Sequence, residues 1–124
     1  MKPRDLVERL NETINAHDLV AGRALYAEDA RLIPASGVPM DLDGLDNMMA
    51  TSFAALPDLQ MTVQRWVESG DTVVTEELME ATHGSGRRVH LSMVHITRVV
   101  DDRIVERVAY HDTAGILRQL TVET

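Results

Sequence analysis

The amino-acid sequence predicts an α+β domain in which N-terminal helices pack on one face of a curved antiparallel sheet. Apolar residues recur at spacings of three and four, the helical period, in the first half of the chain; most of the second half alternates at a period of two. No repeat or linker interrupts the 124 residues, so one domain is expected over 1–124, long enough to bury a core without cross-links. Helices followed by an antiparallel meander make the element order of an α+β fold.

Pro3 suits a first helical turn, and Leu6, Val7, Leu10 and Ile14 form the apolar stripe of a first helix. Asn15-Ala16-His17-Asp18 breaks that stripe, and Asp18 is the expected cap of a second helix over 19–26. Residues 30–33 read as a short strand stopped by Pro34, and 34–39 as a loop. Asp43 is the expected cap of a third helix running to about Leu56, where Pro57-Asp58 ends it. Strands are then expected over 59–68, 72–82, 89–100 and 104–110, separated by turns at Ser69-Gly70-Asp71, Gly84-Ser85-Gly86 and Asp101-Asp102. A short terminal helix is expected over 114–120. Strands this long in a small sheet bend, and a bent sheet closed on one side by helices leaves a cavity.

Composition narrows the function. The net charge of −8, twenty acids against twelve bases, repels phosphate backbones, and the bases are scattered, Arg87-Arg88 being the densest pair; nucleic acid is not expected as a partner. The absence of cysteine excludes disulfides, thiolate zinc sites and cysteine nucleophiles and fits a cytoplasmic location. Charges run through the first twenty residues, so neither a signal peptide nor a membrane span is expected. None of the five histidines has HxH or HxxxH spacing, so no metal site is expected. With no phosphate loop, dinucleotide fingerprint or GxSxG elbow, no cofactor is expected either.

Several segments carry a family resemblance. Leu56-Pro-Asp-Leu-Gln-Met-Thr-Val, then Gly70-Asp-Thr-Val-Val, Glu76 and the Ala81-Thr82-His83-Gly84 corner resemble the sheet-forming segments of SnoaL-like polyketide cyclases. The ending Asp102-Arg-Ile-Val-Glu-Arg-Val-Ala-Tyr-His-Asp-Thr-Ala-Gly-Ile-Leu-Arg-Gln-Leu is the nearest match. The resemblance implies the cone-shaped nuclear transport factor 2-like fold around one apolar pocket, and a homodimer formed through the open sheet face. It also implies a cofactor-independent acid/base enzyme acting on a small hydrophobic carbonyl compound by polyketide cyclase, aldol-type or related proton-transfer chemistry. Two departures from the family pattern are a shorter loop after Thr82-His83 and Val108 where many relatives place a tryptophan.

The residues themselves offer several candidates. Alternation on the last strand puts Ile104, Glu106, Val108, Tyr110 and Asp112 on one face, and Val105, Arg107, Ala109 and His111 on the other. By resemblance, Asp112 stands at the position of the family's acid/base aspartate, and a carboxylate walled by apolar side chains has its pKa raised toward the range of a general base. An aspartate before Thr-Ala-Gly is equally a helix cap. His95, beside Met93 and between Val94 and Ile96, either meets a substrate carbonyl, shares a proton with Asp112, or is a core histidine satisfied by a backbone carbonyl; its direction is open. One of Glu76 and Glu77 faces inward, and an inward Glu76 needs a partner such as Arg65 or His95. Trp66 and Tyr26 offer apolar area with one donor each, as pocket walls or as core. Asp112 and His95 are thus the expected catalytic residues, and Tyr110, Trp66, Tyr26, Glu76, Val108 and Met93 the expected substrate contacts. His83 and His90 are weaker candidates. The competing readings are a non-enzymatic ligand-binding or dimerisation module, and an epoxide hydrolase built on Arg65, Glu76 and Asp112. A ketosteroid isomerase is disfavoured, because Leu32-Ile33-Pro34-Ala35-Ser36 carries no acid where isomerase relatives have an aspartate.

Overall fold

The structure, a computed structural model, describes residues 1–121, so the last three residues of the expected domain lie outside the described residues. Helix α1 (Pro3–Asn15) buries Leu6, Val7, Leu10 and Asn11 against the sheet. Three of these belong to the expected stripe, and a fully buried Leu or Val contributes about 1.5–3 kcal/mol. Asn11 is a polar residue set among them.

Asp18 caps α2, accepting from the Ala21 N–H at 3.0 Å, but the helix covers only Leu19–Arg23. Strand β1 (Tyr26–Ile33) therefore starts earlier than its apolar pattern indicated. Exposed Glu28 and Asp29 hide the strand locally. Pairing with the last strand overrides that signal and sets Tyr26 opposite Ile104. Helix α3 (Leu42–Ala55) is capped by Asp41 rather than Asp43, the Asp41 carboxylate accepting the Gly44 N–H at 2.8 Å. The helix begins there because Leu42 is drawn into the core.

Strands β2 (Gln60–Ser69), β3 (Thr72–Thr82), β4 (Arg88–Val100) and β5 (Arg103–His111) form the meander, and α4 (Thr113–Thr121) follows. The sheet order is β1-β5-β4-β3-β2. The meander is antiparallel as expected, whereas β1 lies parallel to β5 along the edge. Asp101 and Asp102 turn β4 into β5 with φ of 51° and 58°, the doubly left-handed geometry of a two-residue hairpin that aspartate tolerates.

One irregularity in this hairpin decides which side chains reach the interior. Val99 pairs with Ile104, yet Arg98 pairs with Glu106, so Val105 is an extra residue in β5. An extra residue exchanges the faces of everything beyond it. Ile104 is fully buried, and past the bulge it is Arg107, Ala109 and His111 that line the interior. Val108 stands opposite Ile96 on the outer face. On β3 the alternation is unbroken, with Val73, Thr75, Glu77, Met79 and Ala81 buried.

Candidate active site

A cavity of about 290 Å³ opens between the three N-terminal helices and the inner face of the sheet. Six of the seven methionines line it: Met40, Met48 and Met49 from α3 and the residue run before it, and Met61, Met79 and Met93 from the strands. Unbranched thioethers adapt to irregular ligand shapes at small cost. Leu10, Ile14, Phe53 and Leu91 complete most of the apolar wall. His17 of the α1–α2 turn stacks on Phe53 with ring centroids 4.1 Å apart, and its Nε2 meets the Leu59 carbonyl at 3.0 Å, which fixes α3 over the cavity.

Polar side chains gather where the strands meet the cavity. His95 from β4, Arg107 and His111 from β5, and Tyr26 from β1 all contribute to its lining. Directly behind them lies Glu77, fully buried. One Glu77 oxygen, Oε1, accepts from Asn11 Nδ2 at 3.0 Å. The other, Oε2, accepts from Thr75 Oγ1 at 3.0 Å and is bonded to His95 Nδ1. Arg107 Nη2 stands 3.8 Å from the same carboxylate, while Arg107 Nη1 donates to Thr97 Oγ1 at 2.9 Å.

Electrostatics assign the protonation states. Burial pushes the Glu77 carboxyl up, but the hydrogen bond from His95, the Arg107 charge and the Thr75 hydroxyl together hold it at about 2, so it is ionised. Burial and the Arg107 charge push His95 down, against the opposing pull of Glu77, and the net direction is down. A neutral His95 beside an ionised Glu77 donates its Nδ1–H to the carboxylate. Nε2 is then the lone-pair nitrogen of a ring that lines the cavity. Burial also raises the Tyr26 phenol above its usual range, so it remains a neutral donor. A carboxylate that fixes the tautomer and orientation of a histidine is the arrangement of a tuned general base.

The structure brings together three of the eight residues expected at the site. His95, Tyr26 and Met93 line the cavity. Asp112 does not: it is two-thirds exposed, its Oδ1 accepts the Gly115 N–H at 2.9 Å at the start of α4, and its Oδ2 lies 3.4 Å from Arg118. The helix-capping alternative is the one observed, because the Val105 bulge turns His111 inward and Asp112 outward. Tyr110 is 58% exposed on the outer face for the same reason, and Val108 lies there between Ile33 and Ile96. Glu76 also faces outward, opposite Arg65 and Val94, leaving Glu77 as the inward acid. Trp66 sits outside the cavity wall, with the Arg4 guanidinium 4.4 Å from its ring centroid. His83 bonds Ser85 within its turn, and His90 is exposed beside Glu80. Arg107, His111 and Asn11 were not expected at the site, and Glu77 only as the alternative to Glu76. A polar residue inside the apolar stripe of α1 was the one direct signal among them.

A cavity roofed by helices over a curved five-stranded sheet, with a polar floor, defines a nuclear transport factor 2-like fold. A profile of the SnoaL-like polyketide cyclases matches residues 4–120, and the chain belongs to that family. Among solved structures it is similar to wild-type IdmH from Streptomyces antibioticus, described as a candidate polyketide cyclase. The two are 32% identical over 98% of this chain and 100% of that chain, with a TM-score of 0.90. AclR from Streptomyces galilaeus, described as a candidate hydroxylase, shares the fold at 22% identity, covering 95% of this chain and 80% of that one, TM-score 0.87. So does a protein from Catenulispora acidiphila described as having a ketosteroid isomerase-like fold, at 18% identity, 99% and 96% coverage and TM-score 0.84. No match was found among curated protein sequences.

Proposed function

We propose that this chain is a cofactor-independent acid/base enzyme that moves a proton beside the carbonyl of a small hydrophobic compound, with polyketide-type ring closure the reaction its family suggests. The observation that carries this reading is the Glu77–His95 pair on the floor of an apolar cavity. His95 Nε2 takes the proton from the carbon next to the carbonyl. The C–H electron pair becomes the new C=C bond, and the carbonyl π pair moves onto oxygen as an enolate. The imidazolium, held by Glu77, returns its proton after the new bond has formed. Methionine walls exclude water and let a flexible substrate fold.

The base is thus His95, in place of the aspartate that the resemblance suggested. The hydrolase alternative loses support, since Arg65 and Glu76 face away from the cavity and Asp112 caps α4. We also propose a homodimer formed through the outer sheet face, where Val94, Ile96, Val108 and Tyr110 stand side by side.

Deuterium exchange tests the chemistry without the natural substrate. Cyclic and aryl ketones are incubated with the protein in D2O and followed by NMR. The wild type accelerates exchange of the α-protons, and His95→Gln loses about 10²–10⁴-fold of that acceleration. Full retention in His95→Gln, or no acceleration across the panel, overturns the reading.

A further inference from the structure

Arg107 has more hydrogen-bonding capacity than the protein uses. A guanidinium carries five N–H donors in a fixed fork. Among the described residues only Thr97 Oγ1 accepts a hydrogen bond from it, and the Glu77 carboxylate at 3.8 Å lies beyond hydrogen-bond range. The Arg107 side chain is 9% exposed, so bulk water does not satisfy the remainder, and the residue lines the cavity. Burying a cation with so few acceptors is costly unless something else completes its coordination. His111 tells the same story four residues along the strand: it lines the cavity, and its Nδ1 is buried without a partner among the described residues.

We propose that Arg107 is an oxyanion receptor, with His111 a second polar contact on the same strand face, and that the ligand of this cavity presents a carbon-bound enolate-type oxygen to the guanidinium. The proposal rests on the cavity being the substrate site, and it adds a group that recognises the charge the reaction develops. The charge balance that Arg107 gives the floor supports it. Before proton transfer the floor holds anionic Glu77, cationic Arg107 and neutral His95. Afterwards His95 is cationic and the substrate oxygen anionic, so the floor stays neutral throughout. An apolar residue in place of Arg107 leaves one unbalanced negative charge in a dry pocket, where such a charge is most costly. The titratable and charged groups around the receptor are Glu77 from β3, His95 from β4, Tyr26 from β1 and His111 from β5. The helices bring Asp18, Arg23 and Asp46 to the cavity wall.

The test uses 4-nitrophenol, a planar enolate mimic whose ionised form absorbs in the visible, against its neutral isostere 4-nitroanisole. The wild type binds 4-nitrophenolate at least about tenfold more tightly than the ether, the magnitude of one hydrogen bond to a charged group. Arg107→Met brings the two affinities within about twofold, and Arg107→Lys, a point charge without the fork, falls between. Folding of each variant is checked by circular dichroism. Should Arg107→Met fail to fold, Arg107→Lys and His111→Leu carry the test, each reducing the preference for phenolate. Equal binding of phenolate and ether by the wild type overturns the proposal. So does tighter binding of 4-nitrobenzoate than of 4-nitrophenolate, which assigns the site to a carboxylate. His95→Gln keeps the phenolate preference while losing proton exchange. A preference without exchange in the wild type therefore removes the general-base reading alone, and exchange without a preference removes the receptor alone.

Discussion

Glu77 on β3 and His95 on β4 share the inner face of neighbouring strands, two residues out of direct register, with a Glu77 carboxylate oxygen bonded to the His95 ring at Nδ1. That diagonal places an acid behind the imidazole and turns the ring's other nitrogen away from it. Asn11 and Thr75 hold the carboxylate from two further directions, so its orientation is over-determined before any substrate arrives.

Removing the Glu77 charge affects stability and activity together. Glu77→Gln keeps the shape but leaves Arg107 buried without a counter-ion. Breaking a buried pair from one side costs about 3–5 kcal/mol. Urea unfolding checks this value. The deuterium-exchange rate of the folded variant is expected to fall with it, since His95 loses the charge that stabilises its cationic form.

Acid destabilises the fold in two stages. His95 has a folded pKa below its unfolded value of 6.5. Its contribution is complete above that pH and declines below it, where the unfolded chain takes up the proton more readily. Glu77 is shifted from 4.5 to about 2. Its stabilisation is present above pH 4.5 and lost as pH falls toward 2, a difference of roughly 3 kcal/mol. Unfolding free energies measured from pH 7 down to 2 are expected to decline through both windows. In Glu77→Gln the lower one flattens.

Asp112 is expected to matter to α4 and not to chemistry. Asp112→Ala removes a cap worth about 1 kcal/mol and leaves the exchange rate unchanged. Gly115→Ala reaches the same cap from the other side, because a Cβ there would stand 2.4 Å from Asp112 Oδ2 and push the carboxylate aside. Circular dichroism is expected to record a small loss of helix in both variants. A large loss of exchange in Asp112→Ala with α4 intact would return the aspartate to the mechanism.

The outer sheet face predicts a dimer. Light scattering at micromolar concentration is expected to give twice the chain mass. Ile96→Arg, which sets a charge among Val94, Val108 and Tyr110, is expected to give a folded monomer. A monomeric wild type removes the dimer and leaves the cavity chemistry untouched.

By itself the sequence determined the elements, their order and the family. Helical spacing in α1, alternation in β3 and turn residues at Gly70 and Asp101-Asp102 are local signals, written within a few residues of where they act. It also supplied every side chain of the site, but left open which of Glu76 and Glu77 is the inward acid, which the sheet settles as Glu77. Only the tertiary structure decided which of them meet. A two-residue turn at Asp101-Asp102 without a bulge would set His95 opposite Val108 and bring Tyr110 and Asp112 to its face. The single extra residue at Val105 sets it opposite Ala109 instead, and so brings in Arg107 and His111. A strand's faces alternate with every residue, so one unpaired position exchanges them all, and that position is chosen by packing across the sheet rather than by the local sequence.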